Sequence, residues 1–323
     1  MIEQTNIIKF PDVGAALIVK NSEKSVSKAI LSVKPVCRQI VVTDTGSLDY
    51  TPSVCSRNGA EIYFKSWTDD FSEARNSTLY FMRTEWIISI DSDEILDLES
   101  FYNNISLFDN IMVGGLRVRI INHLPDDTTR IHYFPRIFRN NKLIRFSGII
   151  HEQIGESITD AGYEICNSDI IIHHYGYTNK NEDRIKRNTE LIQKEINEKP
   201  DDDWLKYHQA ETYFSAGKLI DAENIFKCIY DSEMLSSNQK DFCKIRLAQI
   251  ALQNDNFQLS DKWSDFVSES ADAEGLRLFI KTSSSLMQRK FKDAKYYFYQ
   301  INKSNNNLIN ENIYTKINNL LNI

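Results

Sequence analysis

Cysteine is scarce in this sequence, and long apolar runs are missing. The five cysteines among the 323 residues are odd in number, and no two of them form a C-x-x-C pair: Cys37, Cys55, Cys166, Cys228 and Cys243. This pattern argues against a disulfide framework and a zinc knuckle, and it predicts reduced thiols. No apolar stretch approaches the length of a membrane span, and residues 1–11 lack the basic-then-apolar pattern of a secretory signal. We therefore expect a cytoplasmic protein without a membrane span.

Basic residues are fewer than acidic ones. The 38 Lys and Arg residues stand against 45 Asp and Glu residues, which gives a net charge of −7. Nucleic acid is therefore not expected as a partner, because domains that bind it are usually basic. The length is sufficient for two domains, each with its own hydrophobic core.

The stretch Trp86–Leu96 combines an apolar run with alternating acids. Trp86–Ile90 is short, rich in isoleucine and apolar on both faces, which predicts a buried strand. Asp91 and Asp93 are two residues apart, so in an extended backbone their side chains would point to the same side. Two neighbouring carboxylates repel each other unless a cation lies between them, and oxygen ligands suit Mg²⁺ or Mn²⁺. The Asp-x-Asp pattern is not specific by itself, because residues 201–203 repeat it at a predicted helix start.

Strands and helices alternate along the first part of the chain. The predicted strands are Ala15–Val19, Gln39–Thr43, Glu61–Phe64 and Trp86–Ile90. A helix is predicted in each interval, and Ser72 is the expected cap of the third one. This alternation indicates a mostly parallel sheet with right-handed crossovers. Ligands bind beyond the carboxyl ends of such strands, so Asn21, Asp44 and Asp91 are expected to converge there.

The pattern changes after Met112. Further β segments are predicted at Val113–Ile121, Ile131–Phe138, Lys142–Ile150 and Asp169–Ile172. They predict an antiparallel or mixed extension of the sheet, which carries His151-Glu152 and His173-His174. A charged helix follows at Asp183–Glu198, and Pro200 marks the expected domain boundary.

Beyond this boundary the sequence predicts paired helices. Three helical hairpins are expected at Trp204–Tyr230, Asp241–Phe266 and Ala273–Ile301. Paired helices with periods in the thirties indicate a solenoid. The spacing of Tyr207, Ala210, Tyr213 and Gly217 resembles that of tetratricopeptide repeats. A solenoid has a concave surface that suits a peptide or self-association into a homo-oligomer.

Six ordered motifs together resemble one family. They are Ile18-Val19-Lys20-Asn21, Val41 to Ser47, Trp67 with Asp69 to Asn76, Trp86-Ile87 with Asp91, Asp93 and Glu94, His151-Glu152, and His174-Tyr175-Gly176-Tyr177. The chain resembles glycosyltransferase family 2 proteins that carry C-terminal tetratricopeptide repeats, near the sublancin-type S-glycosyltransferase branch. The resemblance implies an α/β fold: a GT-A (Rossmann-like) mixed-sheet catalytic domain in residues 1–199, followed by an all-α tetratricopeptide-like repeat domain in residues 200–323.

The resemblance also implies a donor site and a metal. The donor would be a nucleotide-diphospho-sugar, with a UDP-sugar expected first. By this resemblance, Asp44 accepts a hydrogen bond from the uracil base, Val19 and Asn21 line the base pocket, Arg75 faces the base or diphosphate, and Asp91 faces the ribose. Asp93 and His174 would ligate Mn²⁺ or Mg²⁺, which bridges the two phosphates. Ser22 and Leu48 depart from the residues usual in the family at these positions.

An inverting transfer also needs a base on the opposite face of the sugar. Glu152 is the first candidate and His151 the second. A hexosyl- or N-acetylhexosaminyltransferase is the favoured activity, with a peptide, protein, glycan or lipid-linked acceptor left open. The alternatives are a sugar nucleotidyltransferase and a non-catalytic repeat scaffold with a relic nucleotide-sugar-binding domain. The first would ordinarily have a Gly-rich basic loop after the opening strand, and Ile18 to Glu23 has none.

Overall fold

A computed structural model of the chain describes residues 10–124, 129–176, 182–301, 309 and 311–321. The chain divides into two compact units. The first contains residues 1–125 and 130–179, and the second contains residues 126–129 and 180–323. Each unit is described by itself below.

The first unit opens with alternating strands and helices. Its strands are β1 (Val13–Val19), β2 (Gln39–Asp44), β3 (Glu61–Phe64) and β4 (Trp86–Ser89), and its helices are α1 (Val26–Val33), α2 (Thr51–Arg57) and α3 (Phe71–Leu79). β1 lies between β2 and β4, and all of these pairs are parallel. β2 and β4 are buried along their whole length, as expected for central strands covered on both faces. The predicted parallel sheet is therefore confirmed.

The cap of α3 differs from the prediction. Asp70, and not Ser72, is the N-cap, and its Oδ1 accepts a hydrogen bond of 2.8 Å from the backbone N–H of Glu73. A carboxylate at this position accepts a hydrogen bond from an otherwise unpaired N–H group and interacts favourably with the positive end of the helix dipole. Ser72 lies inside the first turn, where its hydroxyl donates to Asp70.

The second half of the unit completes a mixed sheet. It contains β5 (Glu94–Leu96), α4 (Leu98–Asn103), a 3₁₀ helix (Ile105–Asp109), β6 (Val113–His123), β7 (Thr129–Arg139), α5 (Gly155–Asp160) and β8 (Glu164–His174). The strand order is β3-β2-β1-β4-β7-β6-β8-β5. β7 pairs antiparallel with β4, and β8 pairs parallel with β6 and antiparallel with β5. The mixed sheet predicted from the sequence is confirmed.

The predicted strand Lys142–Ile150 is wrong. This segment is a loop with one isolated bridge, between Ser147 and Gln153. The Asn76 side chain hydrogen-bonds both the N–H and the C=O of Phe146, at 2.9 Å each, and so replaces a strand partner. The apolar side chains Ile144 and Phe146 are nevertheless buried in the core. The apolar pattern was therefore a signal of burial and not of pairing.

The described part of the second unit is helical. Its helices are α6 (Glu182–Glu198), α7 (Asp203–Ser215), α8 (Leu219–Ile229), α9 (Ser237–Gln253), α10 (Phe257–Trp263), α11 (Ala271–Met287), α12 (Phe291–Ile301) and α13 (Glu311–Leu321). The pairs α7–α8, α9–α10 and α11–α12 pack as hairpins, which confirms the three predicted ones. None of the described helices is long and apolar enough to cross a membrane.

Helix α6 packs on α7 and belongs to the second unit. Gln209 on α7 donates a 2.8 Å hydrogen bond to Gln193 on α6. The sequence placed the domain boundary after this helix, at Pro200, whereas the compact units divide before it. The boundary between a catalytic domain and a repeat domain stays a prediction.

Candidate active site

Asp44 is the last residue of β2, and one of its two carboxylate oxygens accepts hydrogen bonds. Its Oδ1 accepts hydrogen bonds of 2.8 Å from the N–H groups of Gly46 and Ser47. Gly46 has φ +104°, a conformation that glycine adopts without strain. Oδ2 is buried and has no hydrogen-bond partner among the described residues. Because a buried acceptor without a partner is unfavourable, Oδ2 is suited to an N–H group of a ligand.

Asn21 and Val19 hold the neighbouring backbone. Asn21 adopts φ +50°, and its Oδ1 accepts a 2.8 Å hydrogen bond from the Leu48 N–H. The carbonyl of Val19 accepts from the Thr45 N–H at 2.9 Å. The chain after β1 is therefore bound to the turn after β2, which brings Val19, Asn21 and Asp44 together.

Arg75 lies among carboxylates. This buried residue on α3 donates to Glu152 through Nε, to Asp91 Oδ1 through Nη2 at 2.7 Å, and to Ser89 Oγ through Nη1 at 3.2 Å. The sequence predicted a contact of Arg75 with the donor, and this role stays a prediction. The observed partners instead join the candidate base Glu152 to the acid that follows β4.

A second arginine, Arg136 on β7, was missed by the sequence analysis. Its Nη2 lies 3.1 Å from Asp91 Oδ2 and 3.0 Å from Glu94 Oε1. Glu94 is 1% exposed, and its other oxygen accepts from the Asp91 N–H at 2.8 Å. Burial would raise the pKa of Asp91, but the charges of Arg75 and Arg136 outweigh it and hold the pKa well below its ordinary value. Arg136 is the one charged residue in the otherwise apolar segment 134–138, and this pattern could have indicated a buried ion pair.

The backbone between Asp91 and Glu94 is a turn and not an extended segment. The premise that Asp91 and Asp93 point to the same side of a strand is therefore wrong. Asp91 lies between the two arginines, whereas Asp93 lies beside His174, with 3.6 Å between Oδ1 and Nε2. β5 pairs with β8 so that Glu94 is opposite His174, and this register brings the end of β8 to the turn.

The Asp93–His174 pair has the donor set of a divalent cation site. A carboxylate oxygen suits Mg²⁺ and Mn²⁺, and an imidazole nitrogen is a common ligand of divalent transition metals. Gly176 lies against both side chains of the pair. A Cβ at this position would overlap Asp93 Oδ2 and would be 2.6 Å from His174 Nε2. Burial lowers the pKa of His174, but Asp93 raises it by more, so the net shift is upward. No third His, Cys, Asp or Glu joins them within the described ranges, so a cation held here would keep positions for phosphate and water.

The other histidines are arranged differently. His151, with φ +55°, precedes Glu152, and burial lowers its pKa although the Glu152 charge opposes this. His173 Nδ1 lies 3.0 Å from His123 Nε2. The His123 ring in turn stacks on Tyr175 with centroids 4.5 Å apart. His173 is thus packed beside other rings, those of His123 and Tyr175.

Comparison with known proteins places this site in a family. A TPR repeat-containing protein of Synechococcus elongatus is 29% identical over 229 residues, which cover 67% of this chain and 54% of that protein. The SPbeta prophage-derived glycosyltransferase SunS of Bacillus subtilis is 26% identical over 263 residues, which cover 76% of this chain and 60% of SunS. The chain thus spans less than two thirds of the length of either relative.

A solved structure and a family model complete the comparison. The crystal structure of S. aureus TarS 1-349 in complex with UDP-GlcNAc is 15% identical, covers 88% of this chain and 90% of that chain, and gives a TM-score of 0.42. The model described as Glycosyl transferase family 2 matches residues 15–174, which include every predicted site residue. Residues 15–174 of this chain are therefore a glycosyl transferase family 2 domain.

Proposed function

We propose that the protein is a metal-dependent, inverting glycosyltransferase that moves a sugar from a UDP-sugar to a peptide, protein or glycan acceptor. One observation carries the proposal: Asp44 Oδ2, which has no hydrogen-bond partner among the described residues, and the Asp93–His174 pair lie along loops at one edge of the sheet that are joined by hydrogen bonds. Ser92 in the turn after β4 donates to Ser22 after β1 at 3.0 Å. The Asn21 N–H donates to Ser47 after β2 at 2.9 Å. A nucleoside diphosphate has a base at one end and two phosphates at the other, and this edge offers a partner for each.

Asp44 is the proposed partner of the nucleotide base. An ionised carboxylate oxygen only accepts hydrogen bonds, so the ligand must present a donor to Oδ2. The imide of uracil has one N–H between two carbonyl groups. We therefore prefer a uridine nucleotide.

Asp93 and His174 are the proposed ligands of the cation at the diphosphate. Their oxygen and nitrogen atoms would hold Mn²⁺ or Mg²⁺. When bound, this cation would act as a Lewis acid on the diphosphate leaving group. Asp91 does not share this task, because both of its oxygens are held by arginines.

Glu152 is the proposed base for the sugar acceptor. In an inverting displacement the acceptor oxygen forms a bond to the anomeric carbon, the bond from this carbon to the phosphate oxygen breaks, and the hydroxyl proton passes to a base. Glu152 is held in place by Arg75, which fixes the orientation that a general base needs. His151 is the second candidate for this role.

The deciding experiment supplies the purified protein with a panel of nucleotide-sugars and with cell extract, and measures free nucleoside diphosphate and product mass. Release of diphosphate that requires an acceptor supports a transferase. A sugar nucleotidyltransferase would instead form a nucleotide-sugar from a sugar phosphate and a nucleoside triphosphate. A relic domain would bind the nucleotide and release nothing.

Metal dependence is tested with Asp93→Ala. Because this change removes one of two protein ligands, we expect Mn²⁺ affinity and transfer to fall by at least about tenfold. Isothermal titration with Mn²⁺ and a diphosphate-release assay measure the two effects. The exposed Glu99→Ala is the control and should behave as wild type, and full transfer in excess chelator would contradict the metal role.

A further inference from the structure

We propose that Asn122 is a positioning residue, which fixes the tautomer of His174 so that Nε2 offers its lone pair to a divalent cation. The inference rests on the metal role in the proposed function. Asn122 lies on β6, 52 positions before His174 in the chain but adjacent to it in space. Asn122 Oδ1 and His174 Nδ1 are 2.7 Å apart.

The orientation of the Asn122 amide follows from a backbone carbonyl. Asn122 Nδ2 lies 3.1 Å from the carbonyl oxygen of Arg130. A carbonyl only accepts, so the atom facing it must be the NH₂ group of the amide. The oxygen of Asn122 therefore faces His174.

The tautomer of His174 follows in the same way. The Asn122 oxygen only accepts, so His174 Nδ1 must carry the proton. In neutral imidazole the other nitrogen, Nε2, then carries the lone pair. Nε2 is the atom that lies 3.6 Å from Asp93 Oδ1, a separation longer than an ordinary hydrogen bond.

The fold makes this contact rigid. Asn122 is 4% exposed, and the parallel register of β6 and β8 pairs it with His174. Without an acceptor at Nδ1, the proton could move to Nε2, where it would donate to Asp93 and close the pair to a cation. Partners of this kind raise metal affinity in proteins by orienting the ligand.

The test compares Asn122→Leu with Asn122→Asp. Leucine is similar in size and cannot accept from Nδ1, so we expect Mn²⁺ affinity in the presence of UDP to fall about 10- to 100-fold. Aspartate accepts the same hydrogen bond, so its affinity should stay within about threefold of wild type. Free Mn²⁺ is measured by electron paramagnetic resonance, and the free energy of unfolding by urea titration.

Comparing the free energy of unfolding with Mn²⁺ affinity shows whether Asn122 positions His174 or only stabilises the fold. Both variants lose the hydrogen bond to Arg130, so both should be less stable than wild type. The control is Ser168→Ala, which removes a buried 2.8 Å hydrogen bond from β8 to the Arg117 carbonyl. We expect this control to lose stability with unchanged Mn²⁺ affinity. If Mn²⁺ affinity followed stability across all three variants, the inference would be overturned.

A spectroscopic readout needs no metal. Nitrogen-15 spectra of histidine-labelled, metal-free protein at alkaline pH should show His174 protonated at Nδ1 in the wild type and at Nε2, in part or fully, in Asn122→Leu. A wild-type proton at Nε2 would overturn the inference. No Mn²⁺ binding by the wild type with UDP would overturn the metal role and the inference together, whereas a wild type that binds beside an equally tight Asn122→Leu variant would overturn the inference alone.

Discussion

Arg75 shows how single residues are fixed by charge in this fold. It lies between Glu152 and Asp91, and Asp91 in turn lies between Arg75 and Arg136. Removing one member of such a buried network leaves its partner uncompensated, which usually destabilises a protein strongly. The network therefore holds the candidate base in a defined position before any substrate is bound.

The base is tested with Glu152→Gln. Glutamine keeps the shape and can still accept from Arg75, but it cannot take the acceptor proton. We expect the transfer rate to a hydroxyl acceptor to fall at least about 100-fold. Nucleotide affinity should change by less than about threefold, because the interaction matters only in the transition state. Initial rates and isothermal titration with UDP measure the two quantities.

The control for this variant is Glu156→Gln, the same change at an exposed position in α5. It should transfer at the wild-type rate. Near-normal transfer by Glu152→Gln would instead move the role to His151 or indicate a thiol acceptor, which is partly ionised already and gains less from a base. A rate that continues to rise above about pH 8 would favour the thiol, because His151, whose pKa is lowered by burial, is already unprotonated there.

His151 predicts a pH dependence of stability. Burial lowers its pKa below the ordinary value, so on acidification the unfolded chain takes up a proton before the folded protein does. Stability is therefore lost as the pH falls below about 6.5, by about 1.4 kcal/mol for each unit of pKa depression. His151→Gln should flatten the decrease of the unfolding free energy between pH 7 and pH 5, as measured by urea titration. The exposed His132→Gln is the control, and equal slopes for wild type and His151→Gln would contradict the prediction.

At the scale of elements, the ends of β5 and β8 form the candidate metal site. The antiparallel register places Glu94 opposite His174, and the Tyr175 N–H donates to the Asp93 carbonyl at 3.0 Å. The backbone after β8 therefore lies directly against the turn after β4. Only a residue without a side chain fits at the next position, Gly176.

Gly176→Ala tests this close approach. The added Cβ must displace Asp93 or His174, so Mn²⁺ affinity should fall at least about tenfold. Titration with Mn²⁺ measures it. Gly155→Ala is the matched control, because a Cβ there would meet Ile165 Cδ1 at an ordinary 3.6 Å. Equal affinity in both variants would show that the pair does not hold the cation.

At the scale of the whole molecule, two truncations locate the functional boundary. Ending the chain after Asn179 removes the whole second compact unit except residues 126–129, whereas ending it after Lys199 keeps α6 but removes α7, on which α6 packs. Leu191 and Ile192 of α6 are buried in the full chain, and their exposure would favour aggregation. We expect the shorter protein to be the more soluble of the two.

The same truncations test the role of the repeats. Both should bind UDP with the wild-type affinity, because Asp44 and the residues around it belong to the first unit. Transfer to a macromolecular acceptor should fall. Titration with UDP and mass spectrometry of the products measure this. Loss of UDP binding by a folded truncation would contradict an independent catalytic unit. Sedimentation of the full chain tests the predicted self-association through the repeats.

Local sequence patterns were sufficient to predict most of the secondary structure of this protein. Periodicities of two and 3.6 residues, together with turn residues, predict three features: the strand–helix alternation, the positions of Asp44, Asp91 and Asp93 at or just beyond strand ends, and the three helical hairpins. These signals act over a few neighbouring residues. These signals, with the ordered motifs, were enough for the family and for the mixed sheet.

Tertiary structure decided the rest, because its contacts join residues far apart in the chain. Arg75 and Glu152 are 77 positions apart, Asn122 and His174 are 52 apart, and Asn76 and Phe146 are 70 apart. An ion pair or side-chain hydrogen bond of this kind leaves no periodic trace in the sequence. The sequence could therefore name the acids and the histidine. Only the packed structure could show which arginine pairs with Glu152, which amide contacts His174, and why the loop before Glu152 is not a strand.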